Sequence, residues 1–372
     1  MRARVAWLVG LLLLTSCQLT EARVQPLPSG SASPAVAAFL PEAERFVELH
    51  RGLRFRRPVK VEYLEDAAFS SRLLADQRQY RASTDREGVL LRALGLLEPS
   101  VDVELAMEEL LKAGVIGYYD PRRKELAVRG TNAGVQTRHA LVHELTHALQ
   151  DQWFNIDTPD GLDGDAEIAF KAVLEGDARR VEQMYIAGLP EADRAGIQHE
   201  GDGGLPAATP PVLIQELSFP YQAGAVFLQV LEQQGGQTVI DSAFKKRPLA
   251  TAQVMQPTRF LNGFVPTEVA PPAVPGTPTS QGVFGEFRIA LILSPLVPTG
   301  RLEVAEERAA LAAWQGDHFA TWRDGDRDCV RVNFRADGPD GEAALLSALT
   351  KYAATRPGAS TQSDPVRLTA CG

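Results

Sequence analysis

Three of the chain's six histidines fall in one stretch, RHALVHELTHALQDQW, Arg138 to Trp153, each four residues from the next. Its apolar residues Leu141, Val142, Leu145, Ala148 and Leu149 recur at helical spacing, so the stretch predicts a helix. His143 and His147 fall nearly opposite that apolar stripe. Residues i and i+4 share a helix face, with Cβ atoms roughly 6 Å apart. Two imidazoles so placed converge on one metal ion, and tetrahedral zinc takes each at about 2.0–2.1 Å. HELTH, from His143 to His147, reads H-E-x-x-H. Glu144 stands beside the first ligand and is expected to act as general base on a metal-bound water, whose pKa zinc lowers towards ~7. His139 lies eight residues from His147, about 12 Å along a helix. It is expected outside the ligand set, facing solvent or supporting a ligand. The competing reading is a solvated polar face that happens to carry histidines.

A catalytic zinc site needs a third protein ligand. No later histidine suits: His199 sits in a Gly/Pro-rich stretch and His318 lies beyond a proline-rich one. A carboxylate remains. The next helical stretch, Ala166 to Ile186, offers Glu167, Glu175, Asp177 and Glu182. Glu175, in AVLEGDARR (Ala172–Arg180), borders an apolar stripe of Phe170, Leu174, Val181 and Tyr185. Gly176 beside it would cost a helix about 1 kcal/mol relative to alanine, which predicts close approach of another helix. Glu175 is the expected third ligand and Glu167 the alternative.

H-E-x-x-H followed by the glutamate of EGDA resembles the gluzincin branch of zinc metallopeptidases, over roughly Val115 to Leu261. The segment GYYDPRRKELAV, predicted as two strands around a turn, resembles the part of the zincin sheet whose edge strand aligns a peptide. The resemblance implies an α+β, mainly helical fold with a zincin-like core: a small edge sheet, an active-site helix and a glutamate helix. It also implies cleavage of a peptide or protein substrate. One departure stands out. Where thermolysin-type enzymes carry an aspartate four residues after the glutamate, this chain has Arg179. The partner that orients the ligand imidazoles is therefore left open, with Asp177 and Asp151 weighed for it. Tyr221 in SFPYQAG is the candidate donor to transition-state charge, against Tyr185, Tyr118, Tyr119 and His199.

The N-terminus reads as a targeting segment. Arg2 and Arg4 precede a short apolar run, Val5 to Leu14, too short to span a bilayer comfortably. It ends in LTSC, Leu14–Cys17, which resembles the lipobox of bacterial lipoproteins. The resemblance implies cleavage before Cys17, lipidation of that cysteine, and a protein anchored at the outer face of a bacterial membrane. Export would leave Cys329 and Cys371 as an even pair in an oxidising compartment, either a disulfide or two buried thiols. The formal charge of −9 gives no basic footprint for nucleic acid.

Composition and pattern suggest a leader (1–16), a Pro/Ser/Gly-rich tether (17–34), a mainly helical region (35–114), the catalytic domain (115–263), a proline-rich linker (264–281) and a small α+β C-terminal domain (282–372). Gly188–Pro211 reads as a long mobile loop, and Pro220 is expected to kink or break the helix from Val212 to Gln234. The function expected is zinc-dependent peptide hydrolysis by a membrane-anchored lipoprotein. The alternatives are a non-enzymatic, zinc-stabilised envelope lipoprotein that binds a partner, and zinc hydrolysis of a non-peptide bond.

Overall fold

The structure, a computed structural model, describes residues 34–77, 81–131, 133–157, 164–201, 206 and 208–372. Cys17, the leader and the tether lie outside the described residues. In chain order the first half holds α1 (Pro34–Arg51), β1 (Lys60–Leu64), α2 (Asp66–Gln77), α3 (Arg81–Ala93), α4 (Val103–Gly114), β2 (Gly117–Asp120), β3 (Glu125–Arg129), α5 (Val135–Phe154) and α6 (Gly164–Ala187). Then come α7 (Glu191–Gly201), α8 (Pro211–Lys245), α9 (Thr251–Met255), α10 (Pro257–Leu261), β4 (Ser280–Gly282), α11 (Gly285–Leu293), α12 (Val304–Ala313), β5 (Trp314–Asp324), β6 (Arg327–Ala336), α13 (Gly338–Ala353), β7 (Ser360–Ser363) and β8 (Val366–Cys371). The class is mixed α+β, mainly helical, with small sheets.

The first sheet has the order β1-β3-β2. β1 runs parallel to β3, and β2 pairs with β3 as an antiparallel hairpin. Successive strand residues face opposite sides, and β3 is buried on both. Leu126 and Val128 join Leu141, Leu145 and Leu149 of α5 and Val36, Ala43 and Val47 of α1 in one core. Ala127, between them, faces the other way, with Leu64 and with Phe69 and Leu73 of α2. The histidine helix thus lies between this sheet, α1 and α6. It ends at Asn155, whose φ of 52° is left-handed.

α6 packs on α8 through a backbone-to-backbone contact. A Cβ added at Gly176 would sit 2.3 Å from the carbonyl carbon of Gly224, and one at Gly224 would sit 2.0 Å from the oxygen of Ala172. The close approach expected at Gly176 is therefore present, and its partner is α8. Behind it, Phe170 and Val173 pack with Phe227, Leu228 and Leu231.

Several expectations need correction. Gly188–Pro211 contains α7, so it is not one long loop. Pro220 lies buried inside α8 without ending it; the break falls at Gly235 and Gly236, where Gly236 takes a φ of +62° that its missing Cβ makes accessible. Residues 264–281 do not form a loose linker. Thr267 N–H donates to Gln315 O (2.7 Å), Thr279 N–H to Thr321 O (2.8 Å), and Asn333 Nδ2 to Ala270 O (3.4 Å), which straps the segment along β5 and β6. Gly316 has no side chain because the strap passes over it: a Cβ there would meet Thr267 O at 2.0 Å.

The cores also cross the expected boundaries. Leu90 of α3 and Leu94 just after it pack with Trp314, Val330 and Leu349 of the C-terminal part. Leu91 and Leu110 pack with Leu213 of α8 and Leu291 of α11. The second sheet, β4-β5-β6-β8-β7, is antiparallel throughout. Cys329 of β6 lies directly opposite Cys371 of β8, and the two are disulfide-bonded.

Candidate metal centre

α5 and α6 place their functional side chains as facing rows. His147 meets Glu175, His143 meets Glu175 and Glu182, and His139 meets Glu182. Numbers rise along one helix as they fall along the other, as an antiparallel pair requires. The polar face of α5 is therefore turned into the molecule; His143 and His147 are each only 8% exposed.

Three donor atoms converge. His143 Nε2 lies 3.1 Å from His147 Nε2 and 3.1 Å from Glu175 Oε2, and His147 Nε2 lies 3.3 Å from that same oxygen. Among the described residues this is the one group of His, Cys, Asp and Glu placed to hold a metal ion. The sequence-expected set of His143, His147 and Glu175 is brought together. Glu167 is not part of it; it pairs with Lys171 one turn along α6 (2.8 Å).

The other face of each ring is also committed. His143 Nδ1 lies 3.2 Å from Glu182 Oε2, and His147 Nδ1 lies 3.0 Å from Gln150 Oε1. Gln150 is oriented by its own amide, which donates to Leu174 O and to Asp177 Oδ2, each at 3.1 Å. With acceptors at both Nδ1 atoms, both imidazoles donate there, and their Nε2 lone pairs point at each other and at a carboxylate oxygen. Three electron-rich atoms at that spacing repel unless something positive sits between them. Tetrahedral zinc with bonds of about 2.0–2.1 Å separates its ligand atoms by about 3.3 Å. The donor set fits such an ion in type and in spacing.

Protons compete for the same place. His143 is raised well above the ordinary imidazole value: burial opposes this, and hydrogen bonds with Glu175 and Glu182 overcome it. Glu175 is held far below the usual carboxylate range; burial pushes the other way, and the charge of His147 and hydrogen bonds from both imidazoles outweigh it. The site therefore keeps a carboxylate ionised and draws positive charge.

Glu144 is adjacent but separately held. Its Oε2 accepts a 2.8 Å hydrogen bond from Tyr119 N–H of β2. Burial raises its pKa, against the lowering influence of the two histidines. Gly117 lies over Glu144, where an added Cβ would come 3.6 Å from Glu144 Cγ. Tyr221 of α8 stacks on His143 with ring centroids 6.0 Å apart. Its hydroxyl is pushed well above the ordinary phenol value, first by the charge of Glu175, then by burial. The Gly176–Gly224 contact brings α8 close enough for Tyr221, one turn earlier, to overhang the site.

Glu144, His147, Glu175 and Tyr221 line a cleft of about 300 Å³ together with β2 and parts of α2 and α4. A larger cleft of about 640 Å³ lies elsewhere, beside Lys245, Arg247 and Phe260, with no metal-ligating set.

The competing tyrosines have other partners. Tyr118 donates to Asp76, Tyr119 donates to Asp151, and Tyr185 packs on Phe39 and Phe46. His199 falls in α7, and its side chain lies outside the described residues. Neither aspartate weighed as an imidazole partner contacts a ligand directly. Asp151 is bound by Tyr119 and Lys124, and Asp177 acts only through Gln150.

Sequence reasoning missed the roles of Glu182 and Gln150. Glu182 lies seven residues after Glu175, two helical turns on the same face. That spacing was the available signal. It also missed Arg51, fully buried, which donates to Asp177 (2.6 Å) behind Gln150.

No protein-family model, curated protein or solved structure matches the chain, so the reading of this centre rests on its own geometry.

Proposed function

We propose that the chain is a zinc-dependent peptidase with a zincin-like core. The observation that carries this is the convergence of His143, His147 and Glu175 within 3.3 Å of one another, with Glu144 beside them. Zinc held by these three would supply Lewis-acid polarisation of a scissile carbonyl and a more acidic water.

The chain's own residues supply the rest. Glu144 takes a proton from the attacking water as the new C–O bond forms. It returns that proton to the amine nitrogen as the C–N bond breaks. Tyr119 N–H fixes one oxygen of Glu144 and leaves the other for water. Tyr221 offers a hydroxyl to the oxygen that gains charge. β2, at the sheet edge beside Glu144, offers backbone to an extended chain. A purely structural zinc site takes four protein ligands, whereas three donors and a strand-tethered acid fit a catalytic one.

Read with the lipobox-like LTSC, the enzyme would act at the outer face of a bacterial membrane on peptides or proteins there. Among the described residues, no helix is long and apolar enough to cross a membrane.

The test is Glu144→Gln. It should keep its zinc and lose on the order of 10²–10⁴-fold in peptide cleavage. Full activity in that variant, or no cleavage of a mixed peptide library by the zinc-loaded wild type, would end the proposal.

A further inference from the structure

The cleft of about 640 Å³ opens where α8 ends. Arg247 ties it to the end of α5: its Nη2 donates to Asn155 O (3.0 Å). Asn155 lies eight residues beyond His147, about 12 Å along the helix, so this cleft is separate from the metal centre.

The chain carries a formal charge of −9, yet this cleft is locally basic. Lys245 ends α8, Lys246 caps it and Arg247 follows, and the lining holds no aspartate or glutamate. None of the three is ion-paired among the described residues. Asp241, one turn before Lys245, is taken by the buried Arg51 (2.6 Å). Cations complement the negative end of a helix. That accounts for Lys245 and Lys246, but Arg247 lies past the helix, its guanidinium over Phe170 at 4.0 Å. The neutral polar groups of the lining are already used: Ser242 donates to Val239 O (2.6 Å), and Gln253 is bound at both ends of its amide.

Among these cations stand apolar side chains turned to solvent. Leu249 is 50% exposed, Leu261 38% and Val265 67%. Their backbone is fixed. Gln253, itself buried, accepts from Leu249 N–H and donates to Phe264 O (2.8 Å), which clasps the two rims together. Thr267, two residues past Val265, is bound to Gln315. Beside Asn155, Trp153 is also part-exposed and carries Arg56 over its ring at 3.7 Å.

We propose that this face rests on an anionic phospholipid surface. Leu249, Leu261 and Val265 enter the headgroup layer, and Lys245, Lys246 and Arg247 meet the lipid phosphates. Apolar tips beside unpaired cations match a layer in which phosphate adjoins acyl carbon. Lysine stems can lie along the apolar part while their charged ends reach the phosphates. A protein partner fits less well, because lysine is depleted from the cores of protein interfaces. The contact belongs to the folded part of the chain and depends neither on LTSC nor on the metal centre.

The test uses the full chain carrying Cys17→Ala, so that no lipid at that position holds it. It is mixed with phosphatidylcholine vesicles made with or without phosphatidylglycerol. Binding should need phosphatidylglycerol and weaken as salt is raised. Lys245→Gln with Lys246→Gln should weaken it about tenfold or more. Lys112→Gln with Lys351→Gln, at lysines ion-paired elsewhere, should leave it nearly unchanged. Equal loss in the two double variants, or equal binding to both kinds of vesicle, would overturn the proposal.

A polarity-sensitive dye on Val265→Cys reads the site itself, since Cys329 and Cys371 are disulfide-bonded. Its emission should shift to shorter wavelength with phosphatidylglycerol vesicles. Unchanged emission while the chain binds would place the contact elsewhere and overturn the proposal. A dimer in solution that Val265→Asp dissolves would assign the face to a second copy of the chain and overturn it equally.

Discussion

Glu182 contacts two histidines of the row at once, through different oxygens: His139 at 2.8 Å and His143 at 3.2 Å. It thereby orients a ligand without being one, as Gln150 does for His147. Partners of this kind typically hold 10–100-fold in metal affinity or activity. Glu182→Gln and Gln150→Leu should each weaken zinc binding by about that factor, measured by competition with a chromogenic chelator. Unchanged affinity in both would show that the rings are fixed by packing alone. At this scale the sequence was most informative where chemistry is local. A four-residue spacing is enough to pair His143 with His147 and set Glu144 beside them, because one helix carries all three. Glu175 needed a second clue, the neighbouring glycine. Glu182 and Asp177 could not be sorted from sequence, because which carboxylate meets a ring depends on how α6 crosses α5.

The helices show where local propensity loses to packing. Pro220 forfeits one backbone hydrogen bond and strains the preceding turn, at about 3 kcal/mol in an exposed helix. Yet α8 runs through it, since its next turns press on α6 through Gly224 and bury Phe227, Leu228 and Leu231. The same contact fixes the height of Tyr221 above His143. Gly224→Ala places a methyl 2.0 Å from Ala172 O, with rigid backbone on both sides. It should cost about 1–3 kcal/mol or more in urea unfolding and should also reduce turnover by moving Tyr221. Wild-type stability would mean the helices can separate freely. The strand β5 was not legible because Gly316 and the polar residues around it, Gln315, Asp317 and His318, break the expected pattern. The strap of residues 264–281 explains that glycine, and a long-range contact leaves no local sign.

The whole molecule is tied by an ionic group, centred on the buried Arg288, drawn from three distant parts of the chain. Arg288 of α11 grips Glu87 of α3 with two hydrogen bonds, at 3.1 and 2.8 Å. Glu216 of α8 lies against the same pair. Burial first, then the charge of Glu87, raises Glu216 well above the carboxylate range. Nearby, burial pushes Asp165 up to about 7, against the two hydrogen bonds it accepts from Thr251. Such groups bind protons in the folded chain that the unfolded chain would release. Stability from them is therefore present at low pH and falls as pH rises from the ordinary carboxylate range through their raised values. Unfolding midpoints should drop between about pH 5 and 8, and Glu216→Gln, neutral throughout, should show a shallower drop. A profile identical to wild type would remove Glu216 from this role. This cluster, with the shared cores, is why composition shifts at 114 and 264 do not mark separable units.

The central claim is that His143, His147 and Glu175 hold one zinc ion. Elemental analysis of the purified full-length protein, after zinc loading and removal of free metal, tests it most directly alongside Glu175→Ala. About one zinc per chain in the wild type and a large loss in the variant are predicted. A wild type that retains no zinc, or a variant that retains as much as the wild type, would contradict the account.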